Sequence, residues 1–259
     1  MTHKKEFLFK RILLTNDDGY DAPGLQVLEK IASELADEIW VVAPVQDQSG
    51  TSHSISIHNP LRAFPKGDRR FAVNGTPGDC VIMGVRGLMP EAPDLILSGV
   101  NRGGNLGIET VFSGTVGAAM TGALLSIPSI ALSQNFIDGQ PIYWETSQKY
   151  GSQVIKDLEK MHWYQKGSCL NINFPACSPD HVQSIEFTAQ GKGFMDKVDT
   201  IKKLDPKSNP YYCFHFNRPQ KEDDLGTETN AINNHRIAIS PLCFERTNWG
   251  LLDQLKLKK

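Results

Sequence analysis

Apolar strand-like runs alternate with helix-like segments through the first two thirds of this 259-residue chain. The strand-like runs are short and apolar, and they comprise residues 11–16, 39–43, 71–73, 94–98, 130–133 and 170–174. The helix-like segments comprise residues 23–36, 76–85, 114–125 and 143–161. This alternation predicts an α/β fold with a parallel sheet and helices on both faces, because parallel strands need crossover connections between them.

The sequence after about residue 175 follows a different pattern. Strand-like runs are separated there by polar stretches rich in Lys and Asn, and these runs comprise residues 182–188, 211–216 and 236–239. We predict long loops or arms at residues 196–209 and 220–234, since long irregular excursions usually serve as lids or partner-binding segments. Residues 244–257 predict a closing helix. Its large apolar residues share one face: Trp249, Leu252 and Leu255.

Composition excludes several classes of protein. The formal net charge of −2, with 22% charged residues, gives no sign of a surface for nucleic acid polymers. The five cysteines are odd in number and none has CxxC spacing, which is typical of a reducing compartment. No run reaches the ~18 apolar residues of a membrane helix, and the apolar stretch after residues 1–6 is too short for a signal peptide. We expect a cytoplasmic protein without membrane contact.

Two adjacent carboxylates, Asp17 and Asp18, follow the first predicted strand. Open α/β sheets bind ligands just outside the carboxyl ends of their strands. Mg²⁺ and Mn²⁺ prefer oxygen ligands, which two aspartates supply together with negative charge. Taken alone, the sequence Asn-Asp-Asp-Gly is more typical of a simple turn, because these residues are common turn formers.

The segment after the second strand, residues 43–54, is rich in hydroxyl groups. Ser49 is a candidate neutral oxygen ligand or hydrogen-bond donor, with an ordinary polar surface loop as the alternative. His53 in the same segment is more typical of a surface or hydrogen-bonded histidine than of a proton carrier.

The segment after the fourth strand, residues 98–107, combines glycines with Asn101 and Asn105. Its glycine spacing does not fit GxGxxG, and the chain has no Walker A pattern. Asparagines among glycines indicate a backbone that approaches a ligand closely while amide oxygens point inward. A loop that needs positive φ values explains the glycines equally well.

Residues 112–119 predict the start of a helix with Ser113, Gly114 and Thr115 in its first turn. A Ser or Thr there caps the helix, and the free N–H groups form an anion site. Ser113 is not in a G-x-S-x-G elbow, because Val111 and Thr115 occupy the glycine positions. Capping alone also accounts for this segment.

These four segments all follow strands of one predicted parallel sheet and therefore meet at the same edge. Together they offer two carboxylates, neutral oxygen ligands and a helix N-terminus for an anion. This combination suits metal-assisted transfer of a phosphoryl group to water.

The chain resembles the SurE survival-protein family. The resemblance is close over residues 11–175 and looser to residue 241. It rests on ordered motifs: ILLTNDDGYDAP (12–23), VAPVQDQSGTSHSIS (42–56), VNGTPGDC (73–80), PDLILSGVNRGGN (93–105), SGTVGAA (113–119) and LNINFP (170–175).

The resemblance implies both an architecture and an activity. It implies a Rossmann-like three-layer catalytic core at residues 1–175 and a C-terminal part at 176–259. That second part would carry an extended arm or hairpin and a closing helix and would form a homodimer or homotetramer. The family hydrolyses nucleoside 5′- and 3′-monophosphates, and some members also cleave short polyphosphate. It uses one divalent cation per subunit, Mn²⁺ or Mg²⁺, with Co²⁺ as an alternative.

The resemblance also assigns residues to roles. The implied metal ligands are Asp17, Asp18, Ser49 and Asn101, and the two aspartates are the implied catalytic residues. The implied phosphate-binding residues are Asn105, Ser113, Gly114 and Thr115. The chain departs from the family at two places. Thr121 stands where a glutamate is usual, and Glu228 replaces the aspartate of a Gly-Thr-Asp motif, which leaves arm geometry and substrate preference open.

Two other functions compete with this interpretation. One is a non-catalytic nucleotide-binding module whose arms make the biological contact. The other is a serine hydrolase that uses Ser113 and a distant histidine. The sequence does not distinguish between nucleotide bases, between 5′ and 3′ phosphates, between metals, or between a dimer and a tetramer.

Overall fold

A nine-stranded sheet dominates the computed structural model of the protein, which describes residues 7–219 and 223–257. The strands are β1 (Phe9–Thr15), β2 (Ala36–Pro44), β3 (Ala63–Gly67), β4 (Arg70–Val73), β5 (Leu95–Arg102), β6 (Ser129–Gln134), β7 (Ser168–Phe174), β8 (Ile185–Phe187), β9 (Lys197–Leu204), β10 (Pro210–Asn217) and β11 (Ile237–Cys243). The α-helices are α1 (Pro23–Ser33), α2 (Pro77–Met83), α3 (Gly114–Leu124), α4 (Trp144–Lys160), α5 (Glu228–Asn233) and α6 (Trp249–Leu257).

The order of the strands confirms the predicted α/β class. The order across the sheet is β3-β4-β2-β1-β5-β6-β7-β11-β8. The six strands from β4 to β7 in this order are parallel to their neighbours, whereas β3 and β11 join at the two sides in antiparallel pairs. β1 lies beside β5 with Thr15 opposite Ser98, so the segments that follow these strands leave the sheet side by side.

Helices cover both faces of the sheet and produce three layers. α1 and α4 pack on the face that includes Ile12 and Leu14, and α2 and α3 pack on the opposite face, where Leu13 points. Strand β1 has consecutive apolar residues instead of an apolar–polar alternation because both of its faces are buried. Burial of each such side chain contributes about 1.5–3 kcal/mol to folding.

The C-terminal part contains the expected arm and one helix that was not predicted. Residues 196–209 were predicted as a long loop or arm, and β9 spans most of them and pairs with β10 in an antiparallel hairpin. Residues 220–234 were also predicted as a long loop or arm, yet they contain the short helix α5, which Thr227 caps. Residues 220–222 of that prediction lie outside the described residues, as do residues 1–6. The helix was not predicted because short elements carry little apolar periodicity.

Other boundaries differ by a few residues. α1 ends at Ser33 instead of residue 36, because Ala36 already begins β2. The closing helix begins at Trp249 instead of residue 244. The sequence prediction missed β3, which pairs with β4 at the edge of the sheet. No α-helix within residues 7–219 and 223–257 is long and apolar enough to cross a membrane.

Candidate active site

The predicted turn after β1 is present and carries both carboxylates. Asn16 Nδ2 donates to the carbonyl oxygen of Gly19 at 2.7 Å, which closes the turn. Gly19 has a φ of +101°, a conformation that glycine adopts without steric cost. Gln48 N donates to the carbonyl oxygen of Asp17 at 2.7 Å and so joins this turn to the segment after β2. The turn is thus the scaffold of the carboxylate pair.

Asp17 is buried, with 4% of its surface exposed, and its partners are neutral. Its Oδ1 accepts a hydrogen bond from the Thr115 hydroxyl at the start of α3. Burial raises the pKa of Asp17 to about 7; the Thr115 bond lowers it, and the charge of Asp18 raises it. Among the described residues, no Lys, Arg or His forms an ion pair with Asp17. A buried carboxylate in this setting favours a bound cation.

Glycine at position 114 allows α3 to approach Asp17. A Cβ at Gly114 would lie 2.8 Å from Asp17 Cβ and 3.0 Å from Asp17 Oδ2, closer than real Cβ contacts. The helix therefore starts against the carboxylate, and its N-terminal dipole stabilises the negative charge.

Asp18 connects the turn after β1 with the end of β5. Its Oδ2 accepts a hydrogen bond from the Arg102 backbone N–H at 3.0 Å. Burial raises its pKa; the Arg102 backbone bond lowers it, while the charge of Asp47 raises it further. Asp18 thus shares the desolvated setting of Asp17.

Asn101 presents an amide oxygen at the end of β5. Its Nδ2 donates to the carbonyl oxygen of Gly103 at 2.8 Å, so Oδ1 is the atom that remains for a ligand. The register between β5 and β6 shifts between Ser98 and Asn101. Gly99 within this shift has a φ of +135°, and a Cβ there would lie 2.2 Å from the carbonyl oxygen of Leu132. This backbone path requires glycine and determines where Asn101 lies.

A cavity of about 760 Å³ collects most of the predicted site residues. Five of them line it: Asp17, Ser49, Asn101, Asn105 and Ser113. Asp18, Gly114 and Thr115 are not part of the lining but contact or neighbour residues that are. Ser49 belongs to a turn in which its backbone N–H donates to Asp47 Oδ1 at 2.7 Å. The segments that sequence reasoning assigned to one edge of the sheet do meet at one cavity.

The start of α3 uses its hydroxyl groups internally. Ser113 Oγ accepts from the Val116 N–H at 3.0 Å as the N-cap, and the Thr115 hydroxyl is bound to Asp17. In the part of the chain that the structure describes, no histidine forms a hydrogen bond with Ser113, which gives the serine-hydrolase alternative no support. Backbone N–H groups, such as that of Gly114, are the donors this turn offers to an anion.

Asn105 is held firmly at the cavity wall. It is 8% exposed, and its Nδ2 donates to Ser133 Oγ at 2.8 Å. Its backbone N–H donates to Asn173 Oδ1 at 2.8 Å. These bonds fix both the side chain and the backbone of the residue predicted to bind phosphate.

The two departures from the family pattern lie away from the carboxylates. Thr121 is buried between α3 and α2, and its hydroxyl donates to the Gly117 carbonyl oxygen at 2.7 Å. Glu228 is fully buried behind the segment that carries Asn105.

His53 is half-buried; its Nε2 lies 3.1 Å from Met120 Sδ, and burial lowers its pKa.

Sequence reasoning missed the aromatic and charged side chains on the outer part of the cavity. They are Phe112, Phe136, Phe194, Phe216, Arg102, Arg218 and Glu109. Phe112 meets Phe216 of β10 edge to face, with ring centroids 6.1 Å apart. Only the folded hairpin brings β10 to this cavity, so no local pattern marks these residues.

The donor set fits a hard divalent cation. Asp17 and Asp18 supply charge, and Ser49 and Asn101 supply neutral oxygen atoms. No cluster of three or more His, Cys, Asp or Glu suited to a metal occurs among the described residues. The buried Asp17 carboxylate with neutral partners is the observation that favours a cation.

Comparison with known proteins identifies the family. Residues 12–197 match the family model described as survival protein SurE. This chain belongs to the SurE family. It is 51% identical over 250 residues to 5′-nucleotidase SurE 1 of Burkholderia lata, with 96% of each chain covered. It is 46% identical over 241 residues to 5′-nucleotidase SurE of Methylobacterium nodulans, with 92% of this chain and 95% of the relative covered.

A solved SurE structure confirms the fold. The crystal structure of the SurE protein from Aquifex aeolicus matches with a TM-score of 0.81 at 34% identity. The match covers 96% of this chain and all of the other. It therefore extends over the C-terminal hairpin region as well as the parallel sheet.

Proposed function

We propose that this SurE-family chain is a divalent-metal-dependent phosphomonoesterase that hydrolyses nucleoside 5′-monophosphates to nucleoside and phosphate. The names of its relatives support the reaction and the substrate class. The buried Asp17 carboxylate borders a large cavity and has only neutral hydrogen-bond partners among the described residues, and this observation carries the proposal of metal dependence.

Asp17, Asp18, Ser49 and Asn101 would hold one Mn²⁺ or Mg²⁺ per chain, with Co²⁺ as an alternative. The bound ion would neutralise phosphate charge and lower the pKa of a coordinated water. Asp17 has a second task, since its carboxylate is rigidly held by Thr115 and can orient the attacking water and accept its proton.

Asn105 and the first turn of α3 would bind the phosphate. The Asn105 side chain is immobilised by Ser133, and the helix start adds backbone N–H groups near Gly114. Fixed donors lose little conformational entropy when they bind an anion, so they favour both substrate and transition state.

The outer cavity suits the nucleoside. Its volume of about 760 Å³ lies within the range that binds ligands larger than free phosphate. Phe112 and Phe216 offer aromatic surface for a base, and Arg218 lies 5.4 Å from the Phe216 ring centroid. The proposed contacts bind the phosphoryl group, so we extend the proposal to 3′-monophosphates and short polyphosphate as further substrates.

We also propose a cytoplasmic homodimer or homotetramer. The β9–β10 hairpin supports this assembly, because it exposes large apolar side chains on both strands. They include Val198, Ile201, Leu204, Tyr212 and Phe214. Apolar surface of this extent is typical of a protein contact.

Phosphate release from AMP by chelator-dialysed protein, with and without added Mn²⁺, tests the proposal. Asp17→Asn should abolish the Mn²⁺-stimulated release while the protein stays folded. Asp21→Asn is the matched control, because Asp21 is an exposed aspartate four residues along the same turn region. Hydrolysis by a folded Asp17→Asn variant would contradict the role of Asp17. Nucleotide binding without release by the wild type would favour the non-catalytic module.

A further inference from the structure

Glu228 joins the C-terminal part to the segment that carries Asn105. It is the first residue of α5, and its surface is 0% exposed. Its Oε2 accepts from the Gly107 backbone N–H and its Oε1 from Asn171 Nδ2, both at 2.8 Å. These partners are 121 and 57 residues away, so the side chain serves a long-range contact.

One partner of Glu228, Asn171, also holds Asn105. Asn171 Nδ2 also donates to the Asn105 carbonyl oxygen at 2.8 Å. Asn173 Nδ2 donates to the same oxygen at 3.0 Å, and Asn173 Oδ1 accepts from the Asn105 N–H. Gly107 lies two residues beyond Asn105. Glu228 therefore fixes one residue that binds Asn105 and one that follows it.

The carboxylate also determines the orientation of the Asn171 amide. Both neighbours of Nδ2, the Asn105 carbonyl oxygen and Glu228 Oε1, are acceptors. Of the two ends of the Asn171 amide, only the NH₂ group has the two hydrogens needed to donate to both of these acceptors. A neutral amide in place of Glu228 would present a donor to either Asn171 or Gly107, and one of the two bonds would be lost.

We propose that Glu228 is a positioning residue for phosphate binding: it fixes the Asn171 amide and the Gly107 backbone so that Asn105 is held at the cavity wall. This inference rests on the proposed function, in which Asn105 contacts the phosphate. Burial raises the pKa of Glu228 to about 7, while the bonds from Gly107, Ser240 and Asn171 lower it. The geometry carries the inference without that value.

The residue type supports a role specific to this chain. The family pattern usually has an aspartate where this chain has Glu228, and glutamate is one methylene longer. The additional length lets one carboxylate reach both Asn171 and Gly107 while its backbone N–H donates to the Ala189 carbonyl oxygen at 3.0 Å. An aspartate would be expected to keep one of the two side-chain contacts.

Substrate kinetics and phosphate binding of Glu228→Gln test the proposal. The readouts are kcat and KM for AMP with Mn²⁺, and the Kd of inorganic phosphate by calorimetry in the presence of Mn²⁺. We expect KM and Kd to rise about tenfold and kcat to stay within about threefold, because a phosphate contact acts in substrate and transition state alike. Glu186→Gln is the matched control, since Glu186 pairs with Arg236 at 2.9 Å on the edge strand β8.

A double-mutant cycle with Asn105→Ala separates positioning from general stability. If Glu228 acts through Asn105, Glu228→Gln should change the phosphate Kd by less than about twofold in the Asn105→Ala background. Equal losses in both backgrounds would overturn the proposal. If the Glu228→Gln variant does not fold, the same double-mutant cycle is measured with Glu228→Asp.

The outcomes distinguish this inference from the proposed function. A wild-type protein that binds phosphate but releases none from AMP would overturn the proposed function alone, and the phosphate Kd would still decide the role of Glu228. An active wild type with an equally active, equally phosphate-binding Glu228→Gln variant would overturn the inference alone. Wild-type protein that neither hydrolyses AMP nor binds phosphate would overturn both.

Discussion

Asp17 and Glu228 are both buried carboxylates whose pKa burial raises to about 7, yet their surroundings differ. Asp17 faces a cavity and receives a side-chain hydrogen bond from one hydroxyl, that of Thr115. Glu228 is enclosed, and both of its oxygens accept bonds from groups that belong to distant elements. The first arrangement leaves coordination sites for a ligand, whereas the second uses them within the protein.

This difference separates two ways of keeping a buried charge. A carboxylate without a cationic partner is costly; several donors offset this cost at Glu228, whereas the proposed metal ion would offset it at Asp17. Changes at Asp17 should therefore affect metal-dependent turnover most. Changes at Glu228 should affect stability and phosphate affinity.

After substitution of Asp17 itself, the largest effect is expected for Gly114→Ala. Its added methyl group would lie 2.8 Å from Asp17 Cβ, so Asp17 or the start of α3 must move. We expect kcat/KM for AMP with Mn²⁺ to fall about a thousandfold, because misplaced catalytic groups lose most of their effect. Gly87→Ala is the control, since a Cβ at Gly87 has open space around it. Equal activity of the two variants would show that the approach of α3 to Asp17 is unimportant.

The next effect concerns stability as a function of pH. The pKa of Glu228 rises from the usual 4.5 to about 7 on folding. Between these values the folded state binds the proton and the unfolded state does not, so stability falls as pH rises through this window. Glu228→Gln should remove about 3 kcal/mol of this pH dependence, at about 1.36 kcal/mol per pKa unit. Urea unfolding of both proteins across the window measures it, and parallel curves would contradict it.

A smaller loss is expected for Thr115→Val. The substitution keeps the shape of the side chain but removes the hydroxyl that donates to Asp17 Oδ1. A hydrogen bond to a charged group is worth about 1.5–3 kcal/mol, so kcat/KM for AMP should fall at least about tenfold. Thr115→Ser keeps the donor and should stay within about threefold. Equal kcat/KM values for Thr115→Val and Thr115→Ser in steady-state assays would show that this hydrogen bond does not contribute to the reaction.

The smallest effect is expected at the outer cavity. Phe112→Ala should raise KM for AMP about threefold and leave KM for ribose 5-phosphate unchanged, because only AMP has a base to stack on the ring. Phe64→Ala serves as the control, since Phe64 on β3 is 44% exposed and Phe112 is 45% exposed. An equal change in KM for AMP and for ribose 5-phosphate would show that Phe112 does not bind the base.

The inner strands could be predicted because burial on both faces makes them apolar throughout. The predicted run at residues 130–133 corresponds to β6, which extends it by one residue on each side. β9 has the sequence KVDTIKKL and is largely exposed, so neither its composition nor its periodicity indicates a strand. Its structure depends on pairing with β10 across a short turn, which the apolar pattern of β9 alone does not indicate.

The candidate site divides in the same manner. Asp17, Ser49 and Asn105 follow strands and Asn101 lies at the end of β5. The carboxyl ends of parallel strands meet at one edge, so sequence order alone brings these residues together. The bond from Thr115 to Asp17 spans 98 residues and depends on how closely α3 packs. The side-chain contacts of Glu228 span 121 and 57 residues, and the sequence shows only that a glutamate stands there.

Direct titration of Mn²⁺ into chelator-dialysed protein tests whether the Asp17 site holds a metal ion. Wild-type protein should bind one Mn²⁺ per chain, and Asp17→Asn should weaken that binding at least about a hundredfold without lowering the unfolding temperature. Mn²⁺ binding of equal strength in the two proteins, or none in the wild type, would contradict a metal site built on the buried carboxylate.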